Sequence, residues 1–126
     1  MRIRAILPTI FCCTLAVLPS PDASANEEGA KLFKKQCKVC HVAEKDGGKR
    51  QGPNLWGVMG RKAGTLEGFA KYTDAMKSAD IVWTPETLDT WLTDPKAMIP
   101  GTIMTYKQKD AERRRLIIEF LKTAKD

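Results

Sequence analysis

The chain of 126 residues has a single histidine, His41. No site that needs two imidazoles from this chain can form. Cysteine is nearly as scarce, with Cys12 and Cys13 near the N-terminus and Cys37 and Cys40 beyond it. One histidine and two cysteines do not complete a four-ligand structural zinc site. No apolar run is long enough to cross a membrane either. The longest, Ala5 to Leu18, falls short of the roughly 20 residues a spanning helix needs. Internal repeats are also absent, and the length suits one domain rather than two. A hydrophobic share of 43% with 29% charged residues is that of an ordinary globular chain.

What is present begins with a leader. Arg2 and Arg4 precede the apolar stretch, Pro19, Ser20 and Pro21 break it, and Ala23-Ser24-Ala25 offers an A-x-A cleavage site. This is the layout of a secretory signal peptide over residues 1–25. An uncleaved anchor fits less well because the stretch is too short to span, and a lipoprotein modified at Cys12 or Cys13 fits less still, because apolar sequence continues past both cysteines. Cleavage would leave residues 26–126 as the domain. It would carry 19 basic and 14 acidic side chains, a net charge of +5. An exported basic chain with no nucleic-acid motif points to acidic protein surfaces met by electrostatic steering. The alternative is a merely solvated basic surface.

Residues 37–41 read Cys37-Lys38-Val39-Cys40-His41, the C-x-x-C-H attachment signature of a c-type haem. Both thiols would form thioethers to the vinyl groups, and the adjacent imidazole would bind the iron axially. Because His41 is alone, the other axial ligand is not a histidine of this chain. The remaining domain has no cysteine to spare for a disulfide. A covalent haem would then be the staple that so small a domain needs.

The local pattern is all-α and loop-rich. Asn26 can cap a helix with Glu27 and Glu28 in its first turn. Gly29, Leu32, Phe33, Gln36 and Cys37 follow at helical spacing. Between residues 44 and 68, seven glycines and Pro53 mark irregular loops. Such a length of loop is reasonable when wrapped on a large cofactor. Thr73–Ser78 suggests a short helix. Thr84-Pro85 starts another, with Leu88, Trp91 and Leu92 on its apolar side and Asp94-Pro95 ending it. Asp110 caps a last helix whose stripe is Leu116, Ile117, Phe120 and Leu121. Arg113, Arg114 and Arg115 open that helix and read as a solvated face, with a docking role as the alternative.

Methionines 59, 76, 98 and 104 are ordinarily core fillers. Met104 differs because Pro100-Gly101-Thr102-Ile103 precedes it in a turn-rich, extended stretch. Together with Gly52-Pro53-Asn54-Leu55-Trp56-Gly57, Gly60-Arg61-Lys62, Gly68-Phe69, Tyr72-Thr73-Asp74-Ala75, Trp83 and Asp94-Pro95-Lys96, these blocks resemble the class I cytochromes c, of the bacterial c2 and mitochondrial types. The resemblance runs from about Gly29 to Lys122. It implies a small single-domain cytochrome c fold, with helices and glycine-rich loops around one covalently bound haem c.

The resemblance also implies roles. His41 and Met104 would ligate the iron and Cys37 and Cys40 would anchor the haem. The carbonyl of Pro53 would accept the other ring N–H of His41. Tyr72 and Trp83 would hydrogen-bond a buried propionate, Arg61 would offset its charge, and Thr102 would bond a propionate too. Gly29, Phe33 and Phe120 match the crossing of the first and last helices. Three departures stand out: Trp91 in place of a tyrosine that reaches the methionine sulfur, Met76 in place of an asparagine, and Tyr106 in place of a phenylalanine at the haem edge. Lys31, Lys96 and roughly Arg50 match the family's lysine ring. Gln36, Ala97 and Ile103 replace other members, and Lys35, Lys38, Lys107 and Lys109 lie close by in sequence.

The function implied is a soluble, monomeric, periplasmic one-electron carrier, not an enzyme. It would serve an oxidase, a quinol-oxidising complex, a reaction centre or a periplasmic dehydrogenase, without stable membrane insertion or nucleic-acid binding. A peroxidase-like or gas-sensing protein in which Met104 is displaced is the alternative. A thiol–disulfide oxidoreductase through Cys37 and Cys40 is a third reading, though the βαβ pattern that would accompany it is absent.

Overall fold

A computed structural model describes residues 16–126. Cys12, Cys13, the basic start and most of the apolar stretch of the leader lie outside the described residues. Five helices follow: α1 (Pro21–Gln36), α2 (Asp74–Ser78), α3 (Pro85–Thr93), α4 (Pro95–Met98) and α5 (Ala111–Thr123). No strand forms among the described residues. Lys62 and Val82 make an isolated antiparallel bridge, flanked by Ala63 N–H to Ile81 O at 2.8 Å and Trp83 N–H to Arg61 O at 2.9 Å.

The helix starts obey local chemistry, with one exception. Thr84 caps α3 in a reciprocal box with Thr87. Asp110 caps α5 by accepting from the N–H groups of Glu112 and Arg113. Thr73 caps α2. The exception is α1, which begins at Pro21 rather than after Asn26. Proline is pre-organised for a first helical turn, Asp22 suits its dipole, and Ala23 and Ala25 propagate it. Asn26 is therefore interior, and its side-chain oxygen accepts from the Thr123 hydroxyl at 3.1 Å. Asp94-Pro95 both ends α3 and starts α4, because Asp94 also caps that single turn through Ala97 N–H.

The α1–α5 crossing is the frame of the molecule. A Cβ on Gly29 would lie 2.0 Å from Leu116 O, so only glycine allows this approach. Phe33 and Phe120 fill the crossing with ring centroids 5.1 Å apart. The buried side of α5 is Ile117, Ile118 and Leu121. Ile118 was not on the expected stripe, and Leu116 and Phe120 are only half-buried. Arg114 is not solvated as expected. Its side chain is 12% exposed and its Nε donates to Asp89 Oδ1 at 2.7 Å. Its Nη1 donates to Gln108 O and Lys109 O, both at 3.0 Å. It binds α5 to α3 and to the segment before α5. The core continues through Val58, Ala63, Trp83, Leu88, Trp91, Leu92 and Ile99, placed by the loops of residues 44–68 against α3.

Candidate functional site

The C-x-x-C-H pentapeptide forms the turn that closes α1. Cys37 N–H and Lys38 N–H both donate to Phe33 O, while Cys40 N–H (3.0 Å) and His41 N–H (2.9 Å) donate to Cys37 O. One turn thus gathers both thiols and the imidazole. Cys37 and Cys40 are free of any disulfide. Burial, with a smaller contribution from Cys40, pushes the Cys37 thiol up to about 12. An attacking C-x-x-C thiol is lowered instead, so Cys37 is not poised as a nucleophile.

His41 Nδ1 lies 2.8 Å from Pro53 O. A carbonyl can only accept, so Nδ1 carries the proton and Nε2 carries the lone pair. Burial lowers the His41 pKa, and the Pro53 bond acts in the opposite direction. Burial is the larger effect and favours the neutral ring, while the Pro53 bond orients it; a neutral, oriented imidazole is the form a metal ligand requires. The loop that brings Pro53 into place is held by Gly52 N–H to Cys40 O and Leu55 N–H to Val42 O, each 2.7 Å. Gly52 is a further site residue, which sequence inspection placed only within a loop block. A Cβ there would fall 2.3 Å from His41 Cε1 and 2.8 Å from Nε2. The Gly52 backbone runs close against the ring and leaves no room for a side chain.

Asn54 completes this wall. Its Nδ2 donates to Glu44 O, its Oδ1 accepts from Trp56 N–H, and its own carbonyl accepts from Arg61 Nη2 at 2.8 Å. Arg61 is half-buried, and desolvation lowers its pKa while Tyr72 opposes the shift. With Nη2 on Asn54 O and Nη1 3.5 Å from Trp56 O, the guanidinium still has donors to spare among its five. Tyr72 stacks edge-on against Phe69 at 4.8 Å, and burial raises its pKa against opposing effects from Leu66 and Arg61. Trp83 and Trp91 are both 7% exposed, with ring centroids 5.3 Å apart. Trp91 is thus a packing partner of Trp83 from α3.

Met104 sits in the extended chain between α4 and α5, half-buried against the core. Its N–H lies 3.3 Å from Thr102 Oγ1. Thr102 is itself buried, and its hydroxyl proton is left to donate elsewhere. Met76 also packs on the core. Tyr106 is tied by its hydroxyl to Gln36.

The residues fit a covalently held haem. Two unbridged thiols share a turn with an imidazole whose Nε2 makes no hydrogen bond, and no buried polar side-chain atom among the described residues is sealed in without a partner. The comparisons with known proteins agree. The family model described as cytochrome c matches residues 26–125. The chain belongs to the cytochrome c family. It is 47% identical over 97 residues to cytochrome c of Gibberella zeae, which covers 76% of this chain and 91% of the relative. The match to the Chlamydomonas reinhardtii cytochrome c is 45% over 112 residues, 88% of this chain and 96% of that one. For Theileria parva cytochrome c it is 44% over 109 residues, covering 86% and 90%. Like other members of the cytochrome c family it carries one covalently attached haem c, and it acts in electron transfer. No helix among the described residues is long and apolar enough to cross a membrane.

Proposed function

We propose that this cytochrome c is a periplasmic one-electron carrier with His41 and Met104 as axial ligands and Cys37 and Cys40 as thioether anchors. The observation that carries the reading is the His41 Nδ1 to Pro53 O contact at 2.8 Å, within the turn that presents both thiols. The haem would supply ferric–ferrous cycling. The protein's part is to keep the ligand set constant and to exclude water. Pro53 and Gly52 fix the imidazole. Arg61, Tyr72, Trp83 and Thr102 would hold the propionates, since buried carboxylates need charge and hydrogen-bond partners. The buried indoles Trp83 and Trp91 would keep the surroundings apolar. A sulfur ligand raises the reduction potential and closes the sixth position, which favours electron transfer over oxygen chemistry. Redox partners with acidic docking surfaces, such as an oxidase, a quinol-oxidising complex, a reaction centre or a dehydrogenase, suit the basic chain. Export is supported by the leader layout of residues 1–25.

Optical spectra of the wild type and Met104→Ala test the ligand assignment. A weak near-infrared sulfur-to-iron band in the ferric wild type, lost in the variant, is expected. A ferric wild type without that band, binding added ligands readily, would overturn the assignment and favour the peroxidase-like or sensing alternative. Recovery of the protein from the periplasmic fraction, with an intact mass lacking residues 1–25, is the matching test of location.

A further inference from the structure

The chain from Met104 to Asp110 is extended, and backbone pairing alone does not hold it. Gln108 N–H donates to Leu92 O at 2.7 Å, and Lys107 Nζ lies 2.6 Å from Asp94 Oδ2 at the surface. Arg114 Nη1 holds the carbonyls of Gln108 and Lys109, and nearer Met104 the restraint is a closed ring of side chains. The Tyr106 hydroxyl donates to Gln36 Oε1. Gln108 Nε2 donates to the same oxygen at 2.9 Å and to the Tyr106 oxygen at 3.1 Å. Gln108 Oε1 accepts from Asp110 N–H at 3.1 Å. Gln108 is 9% exposed, and both ends of its amide are satisfied.

The placement of this ring gives it meaning. Gln36 is the last residue of α1, immediately before Cys37. Tyr106 lies two residues beyond Met104. The ring therefore ties the residue before one anchor to the segment that carries the methionine, across 70 positions of sequence. Packing alone would be served by a phenyl ring. Here the phenol spends its proton on one directed bond, and both lone pairs of Gln36 Oε1 are occupied.

We propose that Gln36, Tyr106 and Gln108 form a latch that holds the Met104 segment against the end of α1, with Tyr106 as its positioning residue. The latch rests on the reading of Met104 as axial ligand, and it opposes displacement of that methionine by small external ligands. The test uses the holoprotein as wild type, Tyr106→Phe, Gln36→Ala, the double variant and Lys107→Ala, with imidazole as probe. Imidazole affinity of the ferric form and the urea midpoint are measured for each. Tyr106→Phe is expected to raise imidazole affinity about five-fold, the effect of losing one net hydrogen bond. The double variant should do no more than the stronger single one, because both cut the same contact. Lys107→Ala, which removes a surface pair from the same segment, should change affinity less than about two-fold. Unchanged imidazole affinity in Tyr106→Phe, even with a lowered urea midpoint, would reduce the ring to ordinary packing and overturn the latch. So would additive effects of the two single variants. A wild type lacking the near-infrared band would remove the ligand reading and the latch together, whereas a band with an unresponsive affinity removes the latch alone.

Discussion

Gly52 shows how little room surrounds the imidazole. Its missing side chain is what lets the backbone lie against His41, and the nearest ring atom would be 2.3 Å from an added Cβ. Either the ring turns away from Pro53 O or the loop moves off Cys40 O; each breaks a hydrogen bond and disturbs the imidazole. Gly52→Ala should therefore destabilise the protein by about 2 kcal/mol, in the range of overpacked interiors, and perturb the ferric spectrum as well. A urea titration read alongside the optical spectrum checks both. A variant of wild-type stability would show that the loop yields without cost, and that Pro53 alone orients the ring. Arg61 is a milder case. It already serves two carbonyls of the Asn54–Trp56 loop, so Arg61→Ala should lose loop order even before any propionate contact is considered.

Among the elements, the pairing of α1 with α5 dominates, and Gly29 is its tightest point. With Leu116 O only 2.0 Å from the position of an added Cβ, Gly29→Ala must push the helices apart and open the Phe33–Phe120 contact. A loss of about 3 kcal/mol is expected, read as a drop in the urea midpoint. Arg114→Ala should cost about 2 kcal/mol, since it removes a charge-assisted bond to Asp89 and the donor of two carbonyls that tie α5 to its neighbours. Arg115→Ala, one position along on an exposed ion pair with Glu112, should cost under about 0.5 kcal/mol by the same assay. The contrast between these neighbours shows where the sequence was legible. Caps at Thr84 and Asp110 and the C-x-x-C-H turn are short-range chemistry, and they stand in the structure as read. The burial of Arg114 and the bonding of Gln36 with Tyr106 and Gln108 are set by partners far along the chain. Asn26 is a good cap in isolation, yet α1 runs through it and its side chain bonds Thr123, 97 positions away. Asp94-Pro95 reads locally as a helix stop, yet the same pair also starts the next helix.

For the molecule as a whole, charge is the property a partner meets first. The full chain has a formal charge of +6, but its surface is not a bare field of lysines. Lys31 is paired with Glu27 at 3.0 Å, Lys38 with Glu44 at 3.2 Å and Lys107 with Asp94 at 2.6 Å. Lys35, Lys96, Lys109 and Arg50 have no ion-pair partner among the described residues. Exposed pairs of this kind are worth little and exchange readily with an incoming carboxylate, yet each one neutralises part of the field at long range. Between Cys37 and Cys40 and just before Met104, Val39 (76% exposed) and Ile103 (62% exposed) add apolar surface. Steering should therefore be real but moderate. The second-order rate of electron exchange with an acidic redox protein should fall about ten-fold between 10 and 300 mM salt, as the Debye length shrinks from about 30 Å to below 10 Å. Stopped-flow measurement across that range checks it. Lys35→Glu and Lys96→Glu, which reverse unpaired charges, should lower the rate at low salt and flatten its salt dependence, while Lys31→Glu should do less because Glu27 and Glu28 already offset that lysine. A rate independent of salt would show that encounter is governed by the apolar residues instead, and Ile103→Ser would then slow exchange more than any single charge reversal.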